Sequence, residues 1–199
     1  MPPAPVLLLL AAGASRRMRG ADKLMEPVAG EPLLRLQARR GIAAGLAVLV
    51  TLPPDRPQRW AALEGLAVQR LPVPDAAEGL AASIRAGVAA TPPDAALLLL
   101  LADLPEIEAA DLARMAALHR AAPDALLRAT TADGRPGHPI LFPADLRPEL
   151  QALKGDQGAR RILERAAGRL RLVPLAGTRA VTDLDTPEDW ALWRARTGH

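Results

Sequence analysis

Half of this 199-residue chain is hydrophobic, yet only 2% is aromatic, and it contains no Cys, Tyr or Asn. That inventory excludes disulfides, thiol catalysis and thiolate metal sites, and three scattered His (His119, His138, His199) do not rebuild a zinc centre. Net charge is only +3, and because 23 of the 25 basic residues are Arg, the pI of 10.4 reflects an absence of groups titrating near neutrality rather than a strongly basic surface.

Acids and Arg are interspersed rather than set in a basic stripe with interleaved aromatics, so nucleic acid is not the expected partner. The apolar runs at Val6–Ala14 and Ala95–Ala102 fall well short of the roughly 20 residues that a membrane helix needs. No basic side chain precedes the first run, as a signal peptide would require. The expected setting is the cytoplasm, with no membrane partner.

In chain order, short apolar runs predict strands at Val6–Ala11, Leu46–Leu52, Ala67–Leu71, Ala96–Leu101, Ala125–Thr130, Pro139–Phe142 and Leu170–Leu175. Runs of this kind fit strands of a parallel sheet buried on both faces. Between them, amphipathic stretches predict helices at Pro32–Ala44, Arg56–Leu63, Leu80–Ala90, Ala109–Ala121, Ala144–Ala152, Asp156–Ala167 and Pro187–Arg196. The alternation implies an α/β sheet covered on both sides, in one domain spanning residues 1–199. Ligands of open parallel sheets bind beyond the carboxyl ends of the strands, and three segments there carry unusual residues.

The first is Leu10-Ala-Ala-Gly-Ala-Ser-Arg-Arg-Met-Arg-Gly-Ala-Asp-Lys23. A buried strand runs into small residues that let backbone N–H groups approach an anion closely. It then places Arg16, Arg17, Arg19 and Lys23 where they could neutralise a polyphosphate. This is neither a Walker loop nor a dinucleotide fingerprint, nor a nucleophile elbow, since Arg17 stands where the second Gly is required. The bland alternative is a strand turn with a solvated Arg cluster. Lys23 is one of two Lys in the chain, and Ser15 one of two Ser; a compact ammonium suits places that a guanidinium does not fit.

The second segment ends five consecutive Leu with Ala102-Asp103-Leu104-Pro105. A carboxylate terminating a central strand is costly unless paired. A hard divalent cation shared with substrate phosphates would satisfy Asp103; alternatively Asp103 forms a turn before Leu-Pro. In the third, Thr186, Pro187 and Asp189 spell a helix start with a capping box. Asp183 and Asp185 lie just outside it, as second metal ligands or as a solvated acidic turn.

Together these pieces resemble the MobA-like nucleotidyltransferases, particularly the molybdenum cofactor cytidylyltransferase branch. The matching stretches are Leu10–Met18 with Lys23, Gly79–Gly87, Leu101–Pro105, Gly134–Phe142, Gly155–Arg160 and Asp183–Asp189. The resemblance implies a three-layer α/β/α Rossmann-like fold with a mostly parallel central sheet, binding Mg²⁺ and a nucleoside triphosphate at the strand ends. Leu10, Ala11, Ala12, Gly13, Ala14 and Ser15, with Arg17 and Lys23, would hold the triphosphate. Asp103 would be the principal Mg²⁺ ligand, supported by Asp185 or Asp183. Gly79 and Ser83 would lie beside base and ribose, and Gly137, His138 and Pro139 in the acceptor pocket; a simple turn into the strand is the other reading of Gly-His-Pro.

Ala12 resembles the cytidylyl-type loop, where guanylyl-type members tend to carry Gly, so CTP is the implied nucleotide. Arg19 interrupts the Met-Gly pairing of relatives, and Leu104 stands where many carry a polar residue. The implied reaction has the terminal phosphate of molybdopterin attack the α-phosphorus of CTP and expel pyrophosphate, with Arg17, Lys23 and Asp103 catalytic. A client molybdoenzyme is a possible further partner. Rival readings are guanylyl transfer, loading of a nucleotide onto a sugar phosphate, and a non-catalytic carrier of the cofactor.

Overall fold

The computed structural model describes residues 3–155 and 159–199. Seven strands form the central sheet: β1 (Val6–Leu10), β4 (Ala47–Leu52), β5 (Gln69–Pro72), β6 (Leu97–Leu101), β7 (Leu126–Thr130), β8 (Pro136–Phe142) and β9 (Leu170–Pro174). A two-stranded hairpin, β2 (Pro27–Val28) with β3 (Glu31–Pro32), stands apart. The helices are α1 (Leu33–Ala43), α2 (Pro57–Ala62), α3 (Leu80–Ala89), α4 (Ala109–Ala121), α5 (Arg147–Gln151), α6 (Arg160–Arg165) and α7 (Pro187–Thr197). The opening residues of the expected helix Asp156–Ala167 lie outside the described residues.

The sheet order is β5-β4-β1-β6-β8-β7-β9. All neighbours are parallel except β8, which runs antiparallel to both β6 and β7. The expectation that Pro139–Phe142 belongs to a parallel set is therefore corrected. Only Thr131–Arg135 separate β7 from β8, too short for the crossover a parallel return requires. Asp133-Gly134, with Gly134 at φ 90°, makes the reversal instead, as Asp-Gly turns do.

Alternation along β1 builds three layers. Leu7 and Leu9 join a core with Leu34 and Ala38 of α1 and Leu112, Met115 and Ala116 of α4. Leu8 and Leu10 face the other way, onto Ala81, Ile84 and Val88 of α3, Leu150 of α5, and Ile162 and Leu163 of α6. Successive side chains of a strand point to opposite faces, so a continuous Leu run serves both layers at once. Each fully buried Leu contributes about 1.5–3 kcal/mol of transfer free energy. Gly41 of α1 and Gly87 of α3 meet Leu7 and Leu8 where a Cβ would collide, which is how both helices reach the sheet closely.

A third cluster, Met18, Val28, Leu33, Leu184, Trp190 and Trp193, sits beyond the strand ends. It ties the Arg16–Met18 turn and the β2–β3 hairpin to α7. The two buried Trp meet edge to face at 5.8 Å. Two of the chain's few aromatics are thus spent docking the C-terminal helix over the carboxyl edge of the sheet.

Candidate active site

A cleft of about 740 Å³ opens where β1, β4, β5 and β6 end. Of the residues singled out in the sequence, Leu10, Ala12, Gly13, Ala14, Ser15, Arg17, Lys23, Gly79, Ser83, Asp103 and Asp185 line it. Arg16, Leu24, Leu80, Leu101, the Pro53–Arg56 segment after β4, and Pro74, Ala76 and Ala77 after β5 complete its wall. Gly79 precedes α3 at φ 109°, a conformation that favours glycine, and turns the chain so that α3 begins at the cleft.

Lys23 is the centre of the charge arrangement. Its ammonium donates to Asp103 Oδ2 at 2.5 Å and to Asp185 Oδ1 at 2.6 Å. Arg17 pairs with the other Asp185 oxygen at 2.8 Å from a largely exposed position. Burial on its own would lower the Lys23 pKa, but Asp103 and Asp185 outweigh it and hold the pKa above the ordinary lysine value. Lys23 is therefore fully charged at neutral pH.

The two carboxylates are 82 positions apart in sequence (185 − 103), and the backbone brings them together. Leu184 N–H donates to the Asp103 carbonyl at 3.4 Å. Asp185 leads directly into α7, whose capping box closes through Thr186 and Asp189, with Asp189 also accepting from the Asp185 N–H. On the opposite side, α1 fixes the turn after Asp103. Gln37 donates to the Leu104 carbonyl, and Arg40 to those of Pro105 and Ile107.

Asp103 Oδ1 is buried and has no partner among the described residues. An orphaned carboxylate oxygen is expensive to keep; in this place it suits a hard cation that completes its shell with ligand phosphates and water. Asp103 and Asp185 are an oxygen donor pair of the right chemistry for Mg²⁺. Among the described residues no three His, Cys, Asp or Glu converge on a metal-sized site. Asp183 is exposed and does not line the cleft. Partial desolvation by neighbouring atoms raises its carboxyl pKa, and the Asp103 and Asp185 charges push it the same way.

Ala11 stands beneath the cleft rather than in its wall. Its N–H is bonded to Thr51 of β4, and its carbonyl accepts from Arg59. Gly137, His138 and Pro139 also lie outside the cleft wall. The Leu99–Ile140 pairing carries them along β8 toward the Asp103 end of β6. Desolvation pushes His138 down to about 4, with the Arg128 charge adding to it and Asp103 opposing, so the imidazole is neutral at physiological pH. A Cβ on Gly137 would collide with the Ala180 carbonyl, which gives that glycine a packing role. Of the stretch Gly155–Arg160, residues 156–158 lie outside the described residues.

Sequence reading missed Arg59. It is fully buried on α2 and donates to Ala11, Gly13, Ser15 and Asp22. Burial alone would raise the Asp22 pKa, but Arg59 reverses the direction and holds the carboxyl below its ordinary value. The sequence held no sufficient signal, because Asp22, the partner of Arg59, also has local uses, accepting from the Leu24 N–H and the Ser15 hydroxyl.

A strand-end cleft walled by a small-residue loop, with a charged lysine bridging two carboxylates, offers the cations and oxygen donors that suit a phosphorylated ligand and a hard cation. A sequence profile for the MobA-like NTP transferase domain matches residues 7–170. The chain belongs to the MobA-like NTP transferase family, and its fold is the one shared by solved nucleotidyltransferases. It is 28% identical to nicotine blue oxidoreductase of Paenarthrobacter nicotinovorans, over 91% of this chain and 92% of that protein. It is 29% identical to the purine catabolism protein PucB of Bacillus subtilis, over 94% of each. Among solved structures, Rv0371c from Mycobacterium tuberculosis is 27% identical with a TM-score of 0.84, covering 96% of this chain and 97% of that one. A second Rv0371c structure, complexed with manganese, is 26% identical with a TM-score of 0.79 over the same shares. A nucleotidyl transferase from Methanothermobacter shares the fold at 22% identity, TM-score 0.77 and 97% of each chain.

Proposed function

We propose that this chain transfers CMP from CTP to the terminal phosphate of a molybdenum-molybdopterin acceptor and releases pyrophosphate. The observation that carries nucleotidyl transfer is Lys23 bridging Asp103 and Asp185 inside the cleft, with Asp103 Oδ1 left unpartnered beside it. The acceptor reading rests on the Gly134–Phe142 stretch and its resemblance to the cofactor branch. The CTP reading rests on Ala12 and its resemblance to the cytidylyl-type loop; Ala12 is buried beside Val73 and Ala82.

In this reading the loop Ala12–Ser15 cradles the triphosphate, and Arg17 and Lys23 neutralise charge on the transferred and leaving phosphates. Asp103 and Asp185 would hold Mg²⁺, as the manganese complex of Rv0371c encourages. A divalent ion there supplies charge neutralisation on phosphate oxygens. The acceptor phosphate is already anionic, so no strong base is needed, and neutral His138 is free to donate or accept a hydrogen bond. Orienting the two phosphates in line accounts for most of the acceleration.

The test is pyrophosphate release with each of the nucleoside triphosphates, with and without molybdenum-loaded molybdopterin. CTP turnover that depends on the acceptor supports the proposal. Turnover with GTP alone moves the assignment to guanylyl transfer, and turnover of CTP with a sugar phosphate moves the acceptor. Cofactor binding without pyrophosphate release from any triphosphate points to a carrier.

A further inference from the structure

We infer that Arg59 and Asp22 form a buried positioning unit that gives the phosphate-binding loop its anion-receiving shape. This deepens the preceding reading and rests on the cleft receiving a polyphosphate. Neither residue reacts; both act through the loop.

A guanidinium that is fully buried is tolerated only when its charge and its donors are met. Arg59 meets all five. Nε and Nη2 grip Asp22 as a fork at 2.7 and 2.8 Å, Nη2 also reaches Ser15 Oγ at 3.0 Å, and Nη1 takes the carbonyls of Ala11 and Gly13 at 2.6 and 2.8 Å. Every one of these acceptors belongs to the segment between β1 and Lys23. Generic core packing would not confine the bonds to one loop. The planar fork, which Lys lacks, spans the loop from its first residue to its last.

The consequence follows from the planar trans peptide, in which a carbonyl and the next N–H point in opposite directions. Turning the Ala11 and Gly13 carbonyls inward to Arg59 sends the N–H groups of Ala12 and Ala14 outward. Both residues line the cleft, and among the described residues neither N–H has a partner. Ser15 then sits at φ 52°, ψ 36°, an uncommon left-handed conformation for serine, with its hydroxyl held between Arg59 and Asp22. The loop becomes a nest of outward N–H groups. At its far end, Asp22 fixes the backbone from which Lys23 reaches Asp103 and Asp185.

The experiment compares wild type with Arg59→Met and Asp22→Asn. Inorganic pyrophosphate with Mg²⁺ serves as a probe of the nest and cytidine as a probe that carries no phosphate, each titrated calorimetrically after cooperative thermal unfolding is verified. Folded Arg59→Met is expected to lose about tenfold or more in pyrophosphate affinity, the worth of one or two charge-assisted contacts, while cytidine affinity holds within about twofold. Asp22→Asn keeps the shape but weakens the grip, and is expected to lose pyrophosphate affinity in the same selective way; it carries the test if Arg59→Met does not fold. Unchanged pyrophosphate affinity in a folded variant overturns the inference. So does an equal loss for both probes, which is what a merely structural role predicts. If wild type itself binds neither pyrophosphate nor any nucleoside triphosphate, the underlying reading of the cleft fails and takes the inference with it.

Discussion

Replacing Lys23 with Met removes the ammonium that Asp103 and Asp185 share and leaves two carboxylates facing each other in a mostly buried setting. The side chains of Lys23, Asp103 and Asp185 are 15%, 16% and 19% exposed. Breaking a fully buried pair costs about 3–5 kcal/mol, and an exposed one about 1 kcal/mol or less. These exposures lie near the buried end, and Arg17 still reaches Asp185 from a position 72% exposed. The expected loss is about 3 kcal/mol, or roughly 6–12 °C in Tm for a chain of this size. The sign with pH follows from linkage. The folded-state Lys23 pKa is raised, so its contribution is complete below the unfolded value of about 10.4 and is lost as pH climbs through the folded value. Thermal unfolding of both proteins across the alkaline range should show a gap that is constant near neutrality and closes above about pH 10.4. The chain suits this measurement, since it has no Tyr or Cys and Lys154 is its only other Lys. A second arm adds Mg²⁺ without nucleotide: the variant, with its carboxylates unpaired, should gain more Tm than wild type. Equal Tm values at neutral pH, or a gap that persists above the lysine range, would refute the reasoning.

Asp103→Asn should lower pyrophosphate release by roughly 10²-fold or more while preserving cooperative unfolding; near-normal turnover would remove Asp103 from the chemistry. His138, pushed down to about 4 by burial, should titrate near that value by NMR. Because the unfolded chain binds the proton first, stability should fall by about 1.36 kcal/mol per pH unit as pH drops from about 6.5 toward 4. A midpoint near 6.5 would contradict the burial argument. Gly137→Ala drives a methyl group into the Ala180 carbonyl. It should cost about 1–3 kcal/mol, read as a Tm drop of about 2–4 °C per kcal/mol; an unchanged Tm would show that the Arg179–Val181 turn yields freely.

The strands were legible because a buried sheet leaves short, unbroken apolar runs. Each of the seven expected runs overlaps a strand, including Val6–Leu10 and Leu97–Leu101. The direction of β8 was not legible from its own composition, since Pro139–Phe142 reads as apolar whichever way it runs; the short Asp133-Gly134 connection held that information. Of the site, what could be read lay at strand ends and helix starts, where a charged residue interrupts an apolar pattern, as Asp103 and Asp185 do. Arg59 could not be read because its environment is made by contacts 37 to 48 positions away. In sequence it looks like Arg56, three places earlier on the same stretch, which the structure leaves near the cleft mouth, donating to the Ala14 carbonyl.

Three of the four cations in the basic cluster that dominates the sequence are already paired. Arg17 and Lys23 are committed to Asp185 and Asp103, and Arg19 to Glu188. A bare polyanion entering the cleft must compete with these carboxylates for the same cations. In the proposed function, a polyphosphate carrying a divalent ion would not face that conflict, because Asp103 and Asp185 would hold the ion while Arg17 and Lys23 met the phosphates. Charge is exchanged between pairs rather than added to a site. That exchange argues against nucleic acid, whose backbone is drawn to unpaired Lys and Arg, and for a compact metal-bearing phosphate ligand. It also explains why the site spans the chain: the cations come from residues 17 and 23, and the acids that hold them come from residues 103 and 185. Asp185 leads directly into α7, so the docking of that helix positions one of the two carboxylates that pair with the loop.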